Sequence, residues 1–384
     1  MYNPPALLTT ALTTAERISL LGFSDIVKIR NRVLQMRDVI RLEGGEPFMS
    51  TPDFVKQAMK DALDAGQTRY APSSGIPQLL DAIRDKLASQ NGIEATTDQI
   101  IVVSGGAHGL FCAFQTTVNP GDEVLFFSPY WTPIRDQVRY CGGVPVLVPW
   151  GERLAGLQAR VTNRARVLYV NSPSNPTGNV LTRGELTSIA RFAVEHNLIV
   201  ISDEAYEDLI YDGEHVSLAS LPGMFERTIT VYTLSKSFAM TGWRIGYVVA
   251  GEPFMGALRK LVLNSINGVS TPTQFAALAA ILHGVDHLTE MRDEYRRRRD
   301  MMVAALNDAG FRSPSPAGAF YLFPDVRERL GNDSWQAMEH LLERTSIASV
   351  PGIVFGAEGE GHLRLSFSTS IETIERAVAA LHKL

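Results

Sequence analysis

Only two cysteines occur in this 384-residue chain, Cys112 and Cys141, and neither belongs to a CxxC pair or a Cys/His cluster. That scarcity excludes a disulfide framework and a zinc site of the usual spacing. Both read as buried thiols of a reducing compartment. Long apolar runs are also missing: no stretch of 18 or more is found, so none is expected to span a membrane. The opening segment MYNPPALLTTALTTAERISLLG has no basic region leading into a continuous apolar core, which excludes a secretory signal. An excess of positive charge is absent too. The formal net charge is −5, which argues against a general nucleic-acid binder. Internal repeats and low-complexity tracts are lacking. What is left is an ordinary globular composition, 45% hydrophobic and 20% charged, for which the cytosol is the expected location. At about 100–200 residues per domain the length corresponds to two or three domains.

The apolar residues that are present fall into short β-branched runs bounded by Gly, Pro, Asn or Asp. These are IIVV (100–103), EVLFF (123–127), VPVLV (144–148), VLYV (167–170), LIVI (198–201), TITVYTL (228–234) and IGYVVA (245–250). Helical patterns separate many of them, at 106–118, 131–141 and 182–196. Continuous apolar strands alternating with helices predict an α/β fold with a mostly parallel seven-stranded sheet covered on both faces. The character changes near residue 286. One long polar helix is expected over 286–309, then short strands at 320–323 and 363–368, and helices near 334–344 and 371–382. The segment 16–42 has helical periodicity and is expected to pack with this smaller α+β part. Four consecutive arginines, 296–299, spread around a helix and read as a solvated face linking the two parts.

In a parallel sheet the ligand lies beyond the carboxyl ends of the strands. SGGAHG (104–109) follows the first strand and opens a helix, a place where backbone N–H groups can meet a phosphate. The spacing fits neither GxGxxG nor GxxxxGK[ST]. SPYWTP (128–133) follows the second and offers Trp131 as a flat face. NSPSNPTG (171–178) is a constrained loop carrying Asn175. DEAY (203–206) ends a buried strand with Asp203, an acid that is costly there unless paired. Tyr206 follows it. Lys236 and Arg244 lie eight residues apart in TLSKSFAMTGWRIGY. One lysine, one strand-end acid, an aromatic plate, a Gly-rich helix start, an asparagine, a tyrosine and an arginine together suit pyridoxal phosphate. The lysine would bond the aldehyde, the acid would keep the ring nitrogen protonated, and the glycines and Arg244 would hold the phosphate.

Seven stretches, LEGGEP…TP, YAPSSGIPQLLDAI, NSPSNPTG, SDEAY, SKSFAMTGWRIGY, AGAFYLFPD and LRLSFS, occur in an order and spacing that resemble the fold-type I pyridoxal-phosphate aminotransferases of class I/II. The likeness is greatest to the branch with the bacterial-type aspartate aminotransferases, and it runs from about residue 38 to the C-terminus. It implies a pyridoxal 5′-phosphate enzyme that moves an amino group between an L-amino acid and a 2-oxo acid through a Schiff base on Lys236. It also implies an N-terminal arm and part of a small domain at 1–48, a large cofactor-binding domain at 49–285 and a small domain at 286–384. By the same resemblance Asp203 pairs the ring nitrogen, and Asn175 and Tyr206 bond the ring hydroxyl. Trp131 stacks on the ring, and Gly105, Gly106, Ala107, Thr233 and Arg244 surround the phosphate. Arg364 grips the substrate α-carboxylate, with Gly45, Trp131 and Asn175 beside the substrate. Tyr70 would reach the phosphate of a neighbouring subunit, which implies a homodimer. No metal is implied.

Three positions depart from the family pattern: Phe48 stands where an acid is common, Ala107 where a polar or cationic side chain is common, and Ile134 where an aromatic is common. No charged partner for a second substrate carboxylate is evident. His108 is read as a packing residue outside the chemistry. A β-eliminating lyase on the same cofactor and a non-catalytic sensor are the alternative functions. A lyase would make pyruvate and ammonia from one substrate, and a sensor would need a DNA-binding domain for which no length is spare. The sequence makes Lys236 indispensable: Lys236→Ala is expected to lose the visible absorption of bound cofactor and essentially all turnover, and a coloured, active variant would sink the assignment.

Overall fold

A computed structural model of the chain describes residues 13–384; the first twelve residues of the expected arm and leader reading lie outside the described residues. Seven strands form the main sheet: β2 (Ile100–Val103), β3 (Glu123–Ser128), β4 (Val144–Pro149), β5 (Ala165–Asn171), β6 (Ile199–Asp203), β7 (Thr228–Thr233) and β8 (Gly246–Ala250). Their order is β2-β8-β7-β6-β5-β3-β4. Only β8 runs against its neighbours β2 and β7. The other six therefore deliver their carboxyl ends to one edge. The expected mostly parallel sheet is present, with Leu234 starting a short helix instead of ending β7.

The central strands are mostly apolar on both faces because both are covered. Ile101, Val103, Ile201, Val231 and Val248 face the helices Gly106–Thr117 and Phe254–Ser265. Ile100, Val102, Tyr232 and Val249 face the opposite layer. Helix Arg183–Glu195 starts where a capping box is written in the sequence. The Glu185 N–H donates to Thr182 Oγ1 at 3.2 Å, and the Thr182 N–H donates to the Glu185 carboxylate at 2.9 Å.

The chain ends build a second, smaller assembly. β1 (Ile40–Arg41) pairs in parallel with β10 (Ile347–Ala348), and β11 (Val350–Pro351), β12 (Leu363–Ser366) and β9 (Tyr321–Leu322) form an antiparallel sheet. Ile29, Val33, Ile40 and Leu42 share one apolar core with Met291, Tyr295, Phe320 and Ile374. Only the later part of segment 16–42 joins this core: helix Asp25–Val33 and β1 do, whereas helix Glu16–Ser19 has no buried residue and lies beside Pro133–Tyr140, with the Arg17 guanidinium 5.8 Å from the Tyr140 ring.

Two expectations need correction. The arginine run is not a solvated face: Arg298 and Arg299, in helix Val285–Asp308, are 3% and 5% exposed. Arg298 stacks 4.2 Å from the Phe48 ring and binds Glu294, while Arg299 binds Asp212 at 2.5 Å and the Pro316 carbonyl at 3.1 Å. Guanidinium planes tolerate this burial because they stack and fork simultaneously. Cys141 is only half-buried, unlike Cys112; its sulfur accepts from the Gln115 amide at 2.9 Å.

Gly109 lets helix Gly106–Thr117 sit close on β7 and β8, since a Cβ there would lie 2.9 Å from methyls of both Val231 and Val248. Alanine would gain about 1 kcal/mol of helix propensity, but overpacking two rigid β-branched neighbours costs about 1–3 kcal/mol. Gly109→Ala should therefore show net destabilisation in urea unfolding, with a shifted helix start and weaker cofactor retention.

Candidate active site

The carboxyl edge of the sheet opens into a cleft of about 830 Å³. Gly106 and Ala107 line it after β2, Trp131 after β3, Asn171 and Asn175 at and after β5. Asp203 and Tyr206 line it at and after β6, and Thr233, Lys236 and Arg244 at and after β7. The small assembly closes the other side with Gly44, Gly45, Tyr321 and Arg364. Gly105 lies just behind this wall: its φ is +78°, and a Cβ would meet Arg244 Nη2 at 2.7 Å. Tyr70 is not brought to the cleft; its ring is 92% exposed on the single chain. His108 also stays outside, taking the Ser104 N–H at 3.2 Å and contacting Ser265 Oγ at 3.0 Å, and burial pulls its pKa down.

Lys236 is half-buried and bonds the Gly45 carbonyl at 2.7 Å. Burial away from water lowers its pKa to about 8, with Arg364 and Arg244 adding repulsion and Glu46 opposing it. Asp203 is 4% exposed. Burial raises its pKa to about 6, against the pull of a hydrogen bond from Tyr169 and of the Ala205 N–H. Tyr206 donates to or accepts from Tyr321 at 2.9 Å, and burial raises the pKa of both phenols.

Arg364 is 2% exposed and its pKa is lowered by burial. Its Nη1 donates to Asn175 Oδ1 at 3.0 Å and its Nη2 to the Glu43 carbonyl at 2.9 Å, while the guanidinium lies 4.5 Å from the Tyr321 ring. Among the described residues its Nε has no hydrogen-bond partner. Because Arg364 lines the cleft, this buried donor, costly to leave bare by about 1–3 kcal/mol, is available to a ligand there.

These features fit pyridoxal phosphate. Asp203 is a buried carboxylate whose Oδ1 has only the 3.3 Å contact with the Ala205 N–H. That leaves room for a cationic ring nitrogen. Arg244 bonds only the carbonyls of Thr241 and Ser104, and among the described residues no carboxylate neutralises it. It stands at the start of the twelve-residue helix Gly106–Thr117, where the dipole favours an anion.

One group of metal-ligand type is found among the described residues, Glu204, Glu207 and His215. A lysine already occupies it: Lys86 Nζ lies 2.6 Å from Glu207, and Glu204 is satisfied by Ser202, Ser217 and His215.

Sequence reasoning missed Tyr169, Asn171 and Tyr321. Tyr169 reads as one more apolar strand residue. Its link to Asp203 depends on the pairing of β5 with β6, which no local pattern encodes. Tyr321 lies inside AGAFYLFPD, but nothing local indicates that β9 reaches the cleft.

Comparison with known proteins places the chain in a family. The model of aminotransferase class I and II matches residues 37–381. The aspartate aminotransferase of Pyrococcus abyssi is 41% identical over 97% of this chain and 98% of its own length. The aromatic-amino-acid aminotransferase 2 of Thermococcus litoralis is 38% identical over 97% of this chain and 98% of its own. The solved structure of Thermus thermophilus aspartate aminotransferase with maleate superposes with a TM-score of 0.92 at 37% identity, covering 97% and 99% of the two chains. The chain belongs to the class I and II aminotransferases, enzymes that depend on pyridoxal phosphate.

The electrostatic cost of this site is measurable. The Asp203 pKa is higher folded than unfolded, so its penalty is absent below about pH 4, builds as pH rises towards about 6, and is complete above. Asn carries no such charge. In the cofactor-free protein Asp203→Asn should be about 2–3 kcal/mol more stable than the parent at pH 8, and equal to it at pH 4; melting curves at the two pH values test this.

Proposed function

We propose that this protein transfers the α-amino group of an L-amino acid to a 2-oxo acid, with pyridoxal 5′-phosphate held by Lys236, Asp203, Asn175, Tyr206 and Trp131 and by a phosphate cradle of Gly105, Gly106, Ala107, Thr233 and Arg244. The observation that carries this reading is the opposition, across one cleft, of a lysine with a pKa lowered to about 8 and a buried arginine with a free donor. The cofactor supplies an electron sink for a carbanion at the substrate Cα.

The chain's residues divide the remaining work. Arg364 takes the substrate α-carboxylate. Its pre-existing bonds to Asn175 and to the Glu43 carbonyl hold the fork still, so little ordering is left for binding. Asp203 lies at the carboxyl end of β6, where its charge holds a ring nitrogen in the protonated form. Lys236 Nζ is neutral for part of its population near pH 8 and is the base for the Cα proton. Gly45 keeps space beside it: a Cβ there would meet the Tyr321 hydroxyl at 3.1 Å.

A homodimer belongs to the same reading. Tyr70 is exposed, and so is Phe23 at 91%, with Leu20 and Val27 half-exposed beside it in sequence. A second copy would cover apolar surface and receive Tyr70 at its phosphate. In this reading the chain divides at 48/49 and 285/286 into parts that would close on substrate as separate domains. The free thiols suit the cytoplasm, and no described helix is long and apolar enough to cross a membrane.

Two measurements test these assignments. Arg364→Lys should raise KM for every amino-acid donor and lower kcat/KM by about 100-fold, because an ammonium cannot form the two-pronged contact; unchanged kinetics would remove Arg364 from the substrate site. Sedimentation should show a dimer, and Tyr70→Phe should weaken retention of the cofactor. A monomer with full activity would contradict the shared site. The donor itself is found by adding aspartate, glutamate and the aromatic amino acids singly to the yellow enzyme and following loss of its visible band. No bleaching with any amino acid would overturn the aminotransferase reading.

A further inference from the structure

The mechanism above does not use Tyr169, yet its hydroxyl touches the acid on which the cofactor ring depends. Tyr169 is on β5, two residues before Asn171 on the same face of the sheet. Register sets Tyr169 opposite Ile201 and Asn171 opposite Asp203, so Tyr169 reaches Asp203 diagonally. Its Oη lies 2.7 Å from Asp203 Oδ2. The phenol is 2% exposed, with its ring against Phe114 and Phe126 at 6.0 and 6.2 Å between centroids. Among the described residues the hydroxyl has no other hydrogen-bond partner. Burial, and then the adjacent carboxylate, push its pKa well above that of an ordinary phenol, so it keeps its proton and donates. An ionised carboxylate can only accept.

We propose that Tyr169 is a positioning residue for Asp203: its hydroxyl holds Oδ2 so that Oδ1 faces the cleft, and it keeps the proton of the acid–ring pair on the cofactor's nitrogen. This rests on the proposed pairing of Asp203 with that nitrogen.

The direction follows from the charges around Asp203. Burial favours the neutral acid, and the Tyr169 hydroxyl opposes it more than any other neighbour does. Asn171, also on β5, donates its amide to the Asp203 carbonyl at 3.0 Å, not to the carboxylate. Within the Asp203 segment, Glu204 favours the neutral acid by repulsion, and the Tyr206 phenol is engaged by Tyr321. Opposite on β7 is uncharged Val231, and beyond it Lys236 favours the carboxylate. Of the titratable groups of the covering helix Gly106–Thr117, His108 is bonded to Ser104 and Ser265, and burial pushes the Cys112 thiol up to about 11, so it stays neutral. Without the Tyr169 hydroxyl, the carboxylate becomes more basic and competes for the ring proton. A ring nitrogen without its proton withdraws electrons less, so removal of the Cα proton slows.

Tyr169→Phe removes one oxygen and leaves the aromatic packing, and unchanged circular dichroism and melting would show that the fold is kept. In the cofactor-free variant, the 13C signal of the Asp203 carboxylate should titrate about one pH unit higher than in the parent. In protein loaded with ring-15N cofactor, the nitrogen should be protonated in the parent at pH 8 and lose its proton at lower pH in the variant. The rate of Cα-proton removal should fall about 10-fold, with little change in KM. Equal 13C titrations and equal 15N shifts in the two proteins would overturn the proposal. An unprotonated ring nitrogen in the parent would overturn both this proposal and the pairing it rests on. A 13C shift in the cofactor-free variant supports the Tyr169–Asp203 coupling independently of that pairing.

Discussion

The site depends on placing ionised groups at and just beyond the carboxyl ends of strands that are buried and mostly apolar. Asp203 follows four buried residues on β6 and has no room to turn to water. Its charge persists because β5 supplies Tyr169 and the following turn supplies the Ala205 N–H. Lys236 is treated in the opposite sense: the same loss of water lowers its pKa. One physical effect therefore raises an acid and lowers a base within the same cleft, and brings both towards neutral pH, where proton transfer is easiest. The reversed strand β8 serves this arrangement by letting six carboxyl ends gather on one edge while β2 and β7 remain apart.

Arg364 connects that edge to the smaller assembly. It is a residue of β12, yet its guanidinium bonds Asn175 beyond β5 and the Glu43 carbonyl beyond β1. The acceptors are neutral oxygens, and the Tyr321 ring covers one face. The guanidinium is thereby held in position with no carboxylate partner among the described residues, which leaves its charge to the substrate in the proposed reading. Arg298 and Arg299 fix other parts of the same boundary, one under Phe48 and one on Asp212 and Pro316.

Most of the large sheet was legible because burial on both faces forces continuous apolar runs, and these are visible without knowing partners. Chemistry at strand ends was legible for a related reason: a charge such as Asp203 or Lys236 stands out after such a run. The limits are equally physical. Arg298 and Arg299 look solvated in sequence because local periodicity is blind to Phe48 and Asp212, which approach from far along the chain. Tyr169 passes for a core residue because its ring is one, and only the pairing of β5 with β6 shows where its hydroxyl goes. Tyr70 was assigned through a likeness to relatives, and on a single chain it stands in solvent far from any role.

The contacts of Arg364 also set an order of events during synthesis. Its partner carbonyl at Glu43 lies 321 residues earlier, and β1 waits for β10 before it has a neighbour. The seven strands of the main sheet, with Lys236 and Asp203, are complete once residue 250 has emerged. Once the covering helices to His283 have followed, every residue proposed to hold the phosphate and ring has emerged, while the arginine proposed for the substrate has not. On the proposed roles, the parts for cofactor capture and the part for substrate recognition are thus separated along the chain, and so in the time at which they emerge.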